Sequence, residues 1–339
     1  MGRLVLAAMV AAVASGVPPA TSAQSTLGAR IATIGVADQP IEQVFGEIAD
    51  VEVDSLGQIY VLDGYSKDIR VFDRSFRYLR TLGRPGRGPE EFSGWILASP
   101  YSQGTLLVID PGNVRITRID PGPEPSLYGG VRVPAIPTGV CSIGARIFLL
   151  DNRGENLIAE VASGGEGVSR FGIREQPTGT LRQMLRDHDH FLNQGSLGCD
   201  EPTGYVLLSH SFHPVVRAFA GSEEKWRMEL ADYRQQVFRR GPDGSCCVYL
   251  IPNPESNTYH VALDVVSPGD GFAYVTLRES GPQTREGRYE IRVIDVARGR
   301  EVGRFPSGGV LSAVRDGRGY VIEPYPVPQV HVHLWSPRL

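Results

Sequence analysis

The chain has 339 residues, 41% hydrophobic and 21% charged, with a formal net charge of −4. A balance this even excludes a nucleic-acid binder, which needs a basic surplus to meet phosphates, and the composition excludes a disordered chain or a membrane bundle. With 40 glycines and 25 prolines, the chain reads as many short strands joined by tight turns.

The N-terminus comes first. Arg3 precedes an apolar run from Leu4 to Val13, then Gly16-Val17-Pro18-Pro19, then the small residues Thr21-Ser22-Ala23. This pattern predicts a secretory signal peptide over 1–23. The run is shorter than the roughly 17–25 apolar residues of a membrane helix, and no second one follows. The expected product, 24–339, is a secreted or periplasmic monomer with no membrane span. Four cysteines, Cys141, Cys199, Cys246 and Cys247, permit three disulfide pairings in such a compartment.

A strand-like segment follows at 29–35. A repeat then begins. Each copy has a Gly-containing turn, an apolar or aromatic run and often a closing acid. The copies are Gly57–Asp63, Leu106–Asp110, Ile147–Asp151, Tyr205–Ser209, Ala273–Leu277 and Gly319–Glu323. In the first, Ala49–Asp54 alternates apolar and acidic residues, as a half-buried strand does. Ile69–Phe72 and Tyr78–Leu82 complete four strands. Four antiparallel strands cannot bury both faces alone, but a ring of such sheets buries them and closes its edges. The pattern predicts an all-β fold, a six-bladed β-propeller with four-stranded antiparallel blades. Its blades fall near 45–83, 92–133, 136–172, 193–231, 257–306 and 308–339. The last copy has only three strands, so 29–35 is expected to close it from the N-terminal end. Cys141 and Cys199 each lie seven residues before their marker residues Phe148 and Val206. They therefore occupy matching sites in neighbouring blades, which favours their pairing.

The first copy carries a family resemblance. Gly57-x-Ile59-Tyr60-Val61-x-Asp63, Ile69-Arg70-Val71-Phe72 and Gly83-x-x-Gly86-x-Gly88-Pro89-x-x-Phe92 resemble the repeats of NHL propellers, in particular the secreted bacterial six-bladed ones. The resemblance implies the fold and leaves activity open, because the architecture hosts both enzymes and binding scaffolds.

Several motifs carry chemistry. Gly83–Gly88 is followed by no helix and no Lys-Ser/Thr, so it reads as an inter-blade turn and not a phosphate loop. Asp187-His188-Asp189-His190 lies in an insertion at 173–193, and His210 and His213 follow the fourth copy. His188, His190 and His210 form an alternative metal set for calcium or zinc. His331-x-His333 shares one face of a strand and reads as a surface or inter-blade pair. Asp63, Asp110, Asp151 and Glu323 end second strands, where an acid bonds the following turn.

Long loops are expected on one face, at 121–134, 173–193 and 235–256. Arg84, Arg87, Asp151, His188, His190, His210, Arg239, Arg240 and Arg278 are the expected ligand-binding residues there. A face of Arg and His suits an anionic ligand. The expected function is a binding scaffold for a protein, an anionic glycan or a small molecule, with no cofactor and no assigned catalytic residue. The alternative is a calcium- or zinc-dependent hydrolase or lyase, such as a lactonase, working at the central channel.

Overall fold

The computed structural model describes residues 27–101, 104–133, 137–151, 154–176, 189–240, 248–251, 257–281 and 284–336. The expected signal peptide lies outside them. Six four-stranded antiparallel sheets follow one another along the chain. Blade one is Ile48–Val53, Ile59–Asp63, Asp68–Phe72 and Tyr78–Leu82. Blade two is Leu97–Pro100, Leu106–Asp110, Arg115–Asp120 and Ser126–Arg132. Blade three runs Gly139–Ile143, Arg146–Leu150, Asn156–Val161 and Gly167–Ile173. Blade four runs Gly195–Asp200, Tyr205–His210, Val215–Ala220 and Glu223–Glu229. Blade five runs Tyr259–Val266, Phe272–Gly281, Thr284–Asp295 and Arg300–Ser307. Blade six is Val310–Arg315, Arg318–Glu323 and Gln329–Leu334, closed by Arg30–Ile34. That closing strand pairs antiparallel with Gln329–Leu334, with Thr33 opposite His331 and Ile34 opposite Val330. The first strand of each blade touches those of both neighbours, so the sheets form a ring around a central channel. The fold is the expected six-bladed propeller.

The second strands explain the apolar runs. Ile59–Asp63 and Leu106–Asp110 are buried at every position, because both faces of each sheet are covered. Alternate residues of one strand serve different inter-blade cores. Ile59 and Val61 pack with Tyr320 and Ile322 of blade six, while Tyr60 and Leu62 pack with Leu106 and Val108 of blade two. Outer strands keep alternation, as in Glu223–Glu229, because one edge meets water.

Buried arginines hold the links between blades. Arg70 donates to Val44 O, Arg115 to Gly88 O and Glu91 O, Arg217 to Ile173 O and Arg292 to Ala231 O. Each therefore fastens the segment entering its own blade. Arg70, Arg217 and Arg292 occupy one register, opposite Val61, Leu208 and Val275, and His331 takes that register in blade six, opposite Val321. The glycine-rich turn is one such link. Arg84–Pro85 pairs with Glu91–Phe92, and the Glu91 carboxylate accepts Arg87 N, Gly88 N and Arg84 Nε. Gly83 has φ +77°, and a Cβ there would stand 2.3 Å from the Phe92 ring, which plugs the blade junction. Both conditions require glycine.

Two sequence expectations change. The stretch 121–134 is no long loop, since Ser126–Arg132 is the outer strand of blade two; its glycines at 129 and 130 hid the strand. Within 235–256, Val237–Arg240 and Val248–Ile251 form an added hairpin.

Candidate functional site

Second strands end, and links enter first strands, on the same face of the ring, here called the link face. The acids ending second strands there are committed to structure. Asp63 accepts the N–H groups of Gly46, Glu47, Tyr65 and Ser66 and lies 3.5 Å from Arg70. Asp110 accepts those of Ser93, Gly94 and Asn113. Asp151 accepts Gly154 N and pairs with Arg170 at 3.0 Å. Glu323 bonds His331, whose Nδ1 lies 3.0 Å from Thr33 Oγ1 on the closing strand.

The expected ligand-binding residues whose side chains are described stand apart on separate blades and links. Arg84 is exposed and paired with Glu91 at 2.9 Å, and Arg87 is exposed on the same link. Arg278 donates to Ser280 Oγ within blade five. Arg239 and Arg240 lie on the added hairpin, with their side chains outside the described residues, as is His188. His190 is half-buried and stacks on Phe191 at 4.5 Å. His210 is not a surface residue: it is fully buried, with its ring against Leu192 O of the link that enters its own blade.

The structure does gather one imidazole group. His210 and His213 have ring centroids 6.3 Å apart. The His210 Nδ1 lies 3.0 Å from Leu192 O, so Nδ1–H donates and Nε2 presents its lone pair; that nitrogen and His213 Nδ1 have no hydrogen-bond partner. Burial pushes His210 down to about 4, against the pull of Glu175, so it is neutral at physiological pH. Glu175 is bound by Arg227 and lies 3.5 Å from Arg217. Despite its burial, these contacts hold its carboxyl below the usual range. Among the described residues, no three His, Cys, Asp or Glu side chains stand close enough to hold a metal ion.

The channel carries groups that sequence reasoning missed. Asp50 and Asp264 take equivalent positions on the first strands of blades one and five, opposite Leu62 and Thr276, each beside a bulge. Each carboxylate accepts the next residue's N–H, Val51 or Val265. Asp50 also accepts Ser312 Oγ of blade six at 2.6 Å and Ala98 N of blade two at 2.8 Å. It thus joins three blades. Burial pushes Asp50 up to about 6. Burial and then the neighbouring acids push Glu52 well above its usual range, and Asp264 follows for the same reasons. The i, i+2 acids of Asp50-Val51-Glu52 were the available signal, since such a pair shares one strand face. Cys141 and Cys199 form a disulfide between the first strands of blades three and four, with Cα atoms 5.5 Å apart. The matching-site expectation for this pair was right.

The link face also exposes aromatic rings. Among the described residues, seven large apolar side chains are exposed by half or more. Five of them, Ile41, Tyr65, Trp95, Ile173 and Tyr325, lie on this face. All three aromatic members, Tyr65, Trp95 and Tyr325, stand on blades one, two and six, which are neighbours in the ring.

With this geometry in hand, the protein class is a six-bladed β-propeller. Residues 41–95 match the family DUF5128, described as a 6-bladed beta-propeller. No curated protein matches the chain. Among solved structures, a member of the DUF4221 family from Bacteroides vulgatus is similar at 11% identity and TM-score 0.56, covering 93% of this chain and 99% of that one. A Bacteroides fragilis protein named for its proposed export is similar at 9% identity and TM-score 0.53, covering 90% and 95%. A virginiamycin B lyase from Staphylococcus aureus aligns at 9% identity and TM-score 0.50, covering 89% and 98%. At these identities the likeness is one of fold.

Proposed function

We propose that the protein is an exported binding scaffold that docks a protein partner on its link face. The carrying observation is the exposure of Tyr65, Trp95, Tyr325 and Ile41 on one side of that face. Tyr and Trp are the residues that dominate protein–protein binding energy, and exposed aromatic surface on an otherwise well-packed domain marks an interaction site. The anionic glycan loses ground, because Arg84, Arg170 and Arg227 are already paired with acids. No metal enters this reading. Export is supported by the apolar run and small residues at the N-terminus, by a disulfide of the kind that persists outside the cytoplasm, and by the absence, among the described residues, of any helix long and apolar enough to cross a membrane.

The test uses a photo-reactive phenylalanine at 65 or 95, or at the outer-strand controls 79 and 168, in the producing cell. One protein adduct from 65 and 95, absent from the controls and lost with Tyr325→Ser, is the expected result. Equal labelling at all four positions, or none, overturns it.

A further inference from the structure

The channel opens on the opposite face, among the turns that join first and second strands, into a recess of about 250 Å³. At liquid density this is room for about eight water molecules. Ser55, Tyr101, Ser142, Glu201 and Arg315 are among its walls. Arg315 ends the first strand of blade six and is half-buried. Among the described residues its guanidinium has no hydrogen-bond or ion-pair partner, unlike that of Arg70, Arg115, Arg217 or Arg292, each of which meets an acid and a backbone carbonyl. The acid behind it is Glu52, whose carboxyl burial and the neighbouring Asp50 and Asp264 push well above its usual range, against the pull of Arg315 itself. Asp54, also in the wall, is occupied by Leu56 N, Gln58 N and Tyr60 Oη. The exposed Glu201 carboxylate makes no ion pair with Arg315 or with any other described residue.

One recess therefore holds an uncommitted guanidinium and an uncommitted carboxylate that do not reach each other. A plain anion would meet Arg315 but also Asp54 and Glu201. A plain cation would meet the guanidinium. A molecule with both charges satisfies both, and the planar guanidinium grips a carboxylate in a two-bond fork. We propose that this recess binds a small zwitterion of the amino-acid or dipeptide type, its carboxylate on Arg315 and its ammonium toward Glu201. The site is separate from the link face, so a partner there and a ligand here stand or fall independently.

Ligand-observed NMR and calorimetry on the secreted chain test this, with the twenty amino acids and glycylglycine as probes. At least one zwitterion is expected to bind with a Kd at or below about 1 mM. Its N-acetyl and amide derivatives, each lacking one charge, are expected to bind at least about tenfold more weakly. Arg315→Gln and Glu201→Gln are expected to cost about tenfold or more, with Arg315→Lys between them and the parent. Ser142→Trp, which fills the recess from another blade, is expected to abolish binding while circular dichroism and melting stay those of the parent. The proposal is overturned if no probe binds, if the N-acetyl derivative binds as well as its parent, or if a well-folded Arg315→Gln chain binds unchanged.

Discussion

The seam between blades six and one lies across the ring from the seam between blades three and four, and the two are held by different means. At the first, the chain ends meet. Arg30–Ile34 completes the sheet of Gln329–Leu334, His331 touches Thr33 and Glu323, and Asp50 bonds Ser312 across the inner strands. Ile34, Val51, Tyr320 and Val332 pack into one core there. At the second, Phe148 and Leu150 of blade three pack with Leu197 and Leu208 of blade four, and the Cys141–Cys199 bond joins the first strands. The first seam adds strand pairing and side-chain hydrogen bonds to its packing, and the second adds a covalent link between its inner strands.

Changes at each seam can break or sharpen this contrast. The largest effect is expected from a chain beginning at Val36, without the closing strand. It exposes the edge of Gln329–Leu334 and one face of the first core. Its urea unfolding should lose the cooperative transition, and a sharp parent-like transition would show that the closing strand is dispensable. Cys141→Ala with Cys199→Ala should cost about 4 kcal/mol, because the bond spans 58 residues, yet leave a folded ring, as read by denaturant midpoints with and without reductant. Burial holds Asp50 in the folded chain at about 6, above the usual 3.8. The protonated form is therefore the one folding favours. Its contribution is full below about 3.8 and is lost as pH rises to about 6, by about 3 kcal/mol in all. Melting curves between about pH 3.5 and 7 should show that fall, and Asp50→Asn should flatten it; an equal fall in the variant would place the effect elsewhere.

Smaller changes concern the links. Arg217→Gln beside the second seam should cost about 2 kcal/mol, since Ile173 O and Glu224 lose a buried donor. Arg70→Gln beside the first should cost a similar amount, through Val44 O and Asp63. Chemical denaturation of the pair checks whether the links matter equally where the seams do not. Trp95→Ser, on the exposed rim, should leave stability within about 0.5 kcal/mol while weakening partner capture. A large loss of stability would make Trp95 a packing residue instead.

Much of the fold was legible because its pieces are local. The unbroken apolar runs such as Ile59–Leu62 marked second strands, whose two faces both meet neighbouring blades. Two cysteines at matching distances from their markers favoured the disulfide that forms. The outer strand Ser126–Arg132 was hidden because its glycines read as turn. The candidate sites were less legible. His210 looked like a loop-face ligand but is buried against Leu192 O. The expected arginines Arg84 and Arg278 stand on different blades, engaged with Glu91 and Ser280.

The sequence by itself determined the blade count, the strand order and the closing strand, and favoured the disulfide, because periodicity and spacing are properties of neighbouring residues along one chain. Only the tertiary structure decided that Asp50, Glu52 and Asp264 face one channel, that Arg315 and Glu201 share a recess, and that Tyr65, Trp95 and Tyr325 share a face. Those groupings depend on how six sheets are placed around an axis, and no pattern within a single blade encodes which residue of a distant blade will stand opposite.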